Sequence, residues 1–100
     1  MEELLAKVKS DLGITEDDED INKNIKLKTM ATIGYLVDGG AIIDIDKVNE
    51  ISDKIVVCIA VGVNDLLNNT PGETKFSPAF DILSRQICVS RWAYEIYKYY

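Results

Sequence analysis

The chain has 100 residues, 47% of them hydrophobic, with 17 acidic against 11 basic side chains and a net charge of −6. That length bounds one domain over residues 1–100 with a modest core, and the apolar fraction excludes a disordered chain. The acidic balance argues against general nucleic-acid binding, which needs a basic footprint, and against adhesion to an anionic membrane.

Two cysteines, Cys58 and Cys88, lie in apolar stretches, and there is no histidine. They read as two small buried thiols in a reducing compartment. The usual structural zinc sets are excluded, and no cofactor or metal is implied. Met1-Glu2-Glu3 lacks the basic start of a secretory leader. The longest apolar run is too short to span a bilayer, so a cytoplasmic protein is expected.

The first element is a short amphipathic helix over Glu2 to Leu12, with Leu4, Leu5, Val8 and Leu12 on one face. Gly13 stands where a left-handed cap is wanted, and Ile14 can tuck back against the helix it ends. Five carboxylates follow, Glu16 to Asp20. They lack the alternation, the glycine and the distant glutamate of a calcium loop. The better reading makes Thr15 the cap and places the acids at the positive end of the next helix.

That second helix is predicted from Asp20 to about Val37. Its apolar face is read as Ile21, Ile25, Leu27, Met30, Ala31, Ile33, Leu36 and Val37, with Lys23, Lys26 and Lys28 on a solvated face. Asp38-Gly39-Gly40 ends it. Ala41 to Glu50 is a connector whose isoleucines fill the gap between helices. It reads either as a short extended piece or as a single helical turn near Asp46 to Asn49.

Ile51 to Asn69 is the stretch around which the rest is organised. The nine residues from Ile55 to Val63 carry no charge and no strongly polar side chain. Their β-branched content suits a buried strand. Ser52 and Asp53 supply a helix cap and a favourable first-turn charge. The spacing of Ile55, Cys58, Ile59, Gly62, Val63, Leu66 and Leu67 is helical. A buried helix is therefore predicted, wrapped by its neighbours.

Asn68 to Lys75 contains Asn, Pro and Gly together and is predicted as a surface turn. Ser77-Pro78 opens the last segment as a cap with proline at the first helical position. Phe80, Leu83, Ile87 and Tyr94 share a face, with Ile82 and Val89 beside it. One helix from Pro78 to about Lys98 fits, and so does a break near Val89 to Arg91. Residues 76–100 thus form a C-terminal helix and an aromatic tail. Trp92, Tyr94, Tyr97, Tyr99 and Tyr100 exceed what a core of this size needs. Such rings, apolar with a polar tip, favour protein interfaces.

These pieces add up to an all-α fold, a small bundle of about four helices around a very apolar central one. Taken in order, they resemble the head–tail connector proteins of tailed bacteriophages. The features that carry the resemblance are Leu5, Val8, Lys9, Leu12 and Ile14 in the opening helix and its cap, the acidic Asp17 to Asp20, a helix ending in Tyr35 and Gly39, the apolar helix from Ile51 to Asn69, and Ser77-Pro78 with Ile82-Leu83. Leu67 and Asn69 stand where members often carry a tyrosine and an arginine, and the tail beyond Val89 has no counterpart.

The resemblance implies a non-enzymatic virion subunit that joins copies of itself into a ring below the portal, contacting portal and tail-completion proteins. It would be made in the cytoplasm of a bacterial host, and DNA would pass through the ring unread. The contact residues expected are Asn69, Thr70, Glu73 and Lys75 in the loop, and Trp92, Tyr94, Tyr97, Tyr99 and Tyr100 in the tail. The competing reading is a small acidic regulatory or inhibitory module that binds one partner protein.

Overall fold

The computed structural model describes residues 1–70 and 75–98, and for residues 89–98 it describes the backbone alone. Four helices follow one another: α1 (Glu2–Leu12), α2 (Glu19–Asp38), α3 (Asp53–Asn68) and α4 (Pro78–Lys98). A single 3-10 turn, Val48–Glu50, precedes α3. The fold is all-α, and no strand occurs among the described residues. The connector at Ala41 to Glu50 is therefore turned rather than extended. Asp44 bends it by accepting a hydrogen bond from the Asp46 N–H at 2.9 Å.

The central stretch is a helix. Ser52 caps α3, its hydroxyl oxygen accepting the Ile55 N–H at 3.3 Å. Val56, Cys58, Ile59, Ala60, Gly62, Val63 and Leu66 are buried along it. Helices α1, α2 and α4 each pack against this one rod. Burial on several sides overrides the modest helix cost of its valines and isoleucines. Packing this close requires Gly62. A Cβ there would lie 2.6 Å from Thr32 Cγ2 and 2.7 Å from Phe80 Cε2, so α2 and α4 both pinch in on α3 at that point.

Helices α1 and α2 stop by the same device. Gly13 and Gly40 have φ of 73° and 111°, in the region glycine enters without a steric penalty. At the first stop, Gly13 N–H donates to Ser10 O and Ile14 N–H to Lys9 O. At the second, Gly40 N–H donates to Val37 O and Ala41 N–H to Leu36 O. Both are Schellman motifs, which use the last free carbonyls of a helix. Ile14 and Ala41, the residues just after each glycine, turn in toward the core.

Three sequence expectations change. The cap of α2 is Asp18, not Thr15: Asp18 Oδ1 accepts the Asp20 N–H at 2.8 Å and the Ile21 N–H at 3.3 Å. The predicted apolar face of α2 is too wide. The buried stripe is Ile25, Thr29, Thr32 and Leu36, and Ile21, Leu27, Met30, Ala31 and Val37 are exposed. On α4, Phe80 and Ile87 are buried and Leu83 is half-buried, whereas Ile82 is exposed. Ser84 takes a buried place instead, its hydroxyl donating to Asp81 O at 3.1 Å. The last segment is one helix through Val89 to Arg91, with no break.

Candidate protein-interaction surfaces

The junction of α3 and α4 is built from polar locks. Asp65, in the last turns of α3, accepts the Ser77 N–H at 2.9 Å and the Ser77 hydroxyl at 2.7 Å. The same Ser77 oxygen accepts the Phe80 N–H at 3.3 Å and so caps α4. Asn69 Nδ2 donates to Lys75 O at 3.0 Å. The two ends of the intervening segment are thereby held together. Asn69 is half-buried at the end of α3, while Thr70 and Lys75 are exposed. Glu73 lies outside the described residues.

Beside this junction sits an aromatic cluster that the sequence reading did not single out. Phe76 and Phe80 stack with centroids 4.1 Å apart, and Tyr35 of α2 tilts against both at 4.9 and 5.6 Å. Offset and tilted rings of this kind add stabilisation beyond their burial. Tyr35 remains 49% exposed, so the cluster presents the Tyr35 ring to solvent. The clue in the sequence was Phe76 immediately before the Ser77-Pro78 cap, where the chain must turn inward.

Trp92, Tyr94 and Tyr97 lie on α4, but their side chains are outside the described residues, as are Tyr99 and Tyr100 altogether. The expected aromatic contact patch at the C-terminus therefore lies outside the described residues.

A second surface is the outer face of α2. Leu27 is 63% exposed, Met30 53% and Val37 46%. Leu27 lies about 200° round the helix from the buried Ile25, whereas Met30 and Val37 each stand about 100° past the buried Thr29 and Leu36, on the flank of the stripe, with Gly34 on the same side. Nothing in the chain lies within 4 Å of where a Gly34 Cβ would be. Angular bookkeeping along α2 would have split the predicted face in two, since Leu27 and Ile25 cannot share a side.

The acidic turn is tied down rather than free. Lys9 Nζ donates to Glu16 O at 2.8 Å and to Asn22 Oδ1 at 2.7 Å, and Asn22 Nδ2 donates to Asp17 Oδ1 at 2.9 Å. Lys9, Asp17 and Asn22 also line an open, shallow groove of about 450 Å³ together with Leu5, Gly13 and Ile14. Lys23 pairs with Glu19 at 3.3 Å on the exposed side of α2. Among the described residues, no group of three or more carboxylates and thiols is placed to hold a metal, and no helix is long and apolar enough to cross a membrane.

Cys58 is buried, and both cysteines are free thiols. Burial, with a smaller contribution from the neighbouring Cys88, pushes the Cys58 thiol up to about 11. A group held protonated in this way is a poor nucleophile. Cys88 Sγ donates weakly to Leu36 O at 3.8 Å. Comparison with family models, with curated proteins and with solved structures returns no match.

Proposed function

We propose that this chain is a non-enzymatic assembly subunit of the head–tail connector kind, a phage or prophage virion protein that joins its own copies into a ring beneath a portal. The observation that supports the reading most directly is the order of helices and stops. A short helix closed by glycine, an acidic turn, a long second helix, a very apolar third and a capped fourth follow one another as in the resemblance drawn from sequence. The net charge of −6 suits a lumen that does not retain DNA. The exposed Tyr35 ring at the α3–α4 junction and the apolar outer face of α2 supply surface for protein contacts. The chain has no histidine, and burial deactivates the Cys58 thiol.

The test is electron microscopy of the protein mixed with the portal of its own virus or prophage. An added ring on the portal is the expected result. Persistent failure to bind counts against the reading. A second reading rests on the exposed carboxylates Asp17, Asp18, Glu19 and Asp20: a module that docks one basic partner protein. A tight one-to-one complex by light scattering, with no ring, would favour it.

A further inference from the structure

We draw no further inference here: the strongest candidate, the shallow groove between α1 and α2 floored by Leu5, is lined by Glu2, Asp17 and Glu19 against Lys9, Lys23 and Lys26, so its charges cancel and nothing in the structure shows what covers it.

Discussion

Asp65 in α3 accepts two hydrogen bonds from Ser77, one from the backbone N–H at 2.9 Å and one from the hydroxyl at 2.7 Å. The pair fixes where α4 starts relative to α3. Asp65→Ala leaves two donors without their charged acceptor and should cost about 1–3 kcal/mol. Ser77→Ala removes the cap as well and should cost about 1 kcal/mol. Urea denaturation of both single variants and the double variant checks this. The double variant should be less destabilised than the sum, because both changes remove the hydroxyl–carboxylate bond between Ser77 and Asp65.

Gly62 and Gly34 should respond to alanine in opposite directions. Gly62→Ala drives a methyl into Thr32 and Phe80, and overpacking of this sort costs about 1–3 kcal/mol. Adding Thr32→Ala, which removes the nearer obstruction, should restore part of the loss. Gly34→Ala meets nothing within the chain and should stabilise the fold by about 0.5–1 kcal/mol. Thermal melts at low concentration distinguish the two.

Thr29 is fully buried, and its hydroxyl oxygen has no hydrogen-bond partner. Its neighbour Thr32 donates to Lys28 O at 2.8 Å. Thr29→Val removes an unpaired polar atom from the core and keeps the shape. The expected change is neutral to about 2 kcal/mol more stable. A destabilised variant in chemical denaturation would show that the hydroxyl has a role the fold does not reveal.

Cys58 gives the protein an alkaline limit. The thiol's ordinary value is 9.0, and in the fold it is raised to about 11. The folded state therefore holds the proton more tightly than the unfolded chain does. That contribution is complete below about pH 9 and declines as pH rises toward about 11, by roughly 2–3 kcal/mol at most. The informative quantity is a difference. Stability of the wild type minus that of Cys58→Ala, followed by denaturation from pH 8 to pH 11, should shrink as the pH rises.

What the sequence disclosed followed from local rules. Gly13, Gly39-Gly40, Ser52 and Ser77-Pro78 mark ends that backbone chemistry dictates, and all four helices begin or stop at these signals or within a few residues of them. The helical spacing through Ile55 to Leu67 was decisive over β-branched content because one face alone recurs every three to four residues. Asp18 rather than Thr15 caps α2 because Thr15 stands more than a turn before the first helical residue. The outer face of α2 was misassigned for a different reason. Its apolar residues satisfy two separate stripes at once, and only the packing shows that Thr29 and Thr32, not Leu27 and Met30, turn inward. Asp65 and Ser77 are twelve residues apart, and no local rule pairs them. The same holds for Tyr35 with Phe76.

Because three helices lean on α3, an enlarged side chain at Ile59 or Val63 has no open side to move toward. Relief would have to come from displacing a whole neighbouring helix. Redesign of this protein thus has little latitude along the middle rod and wide latitude on the solvent side of α2 and α4, where new binding functions could be grafted without disturbing how the chain folds.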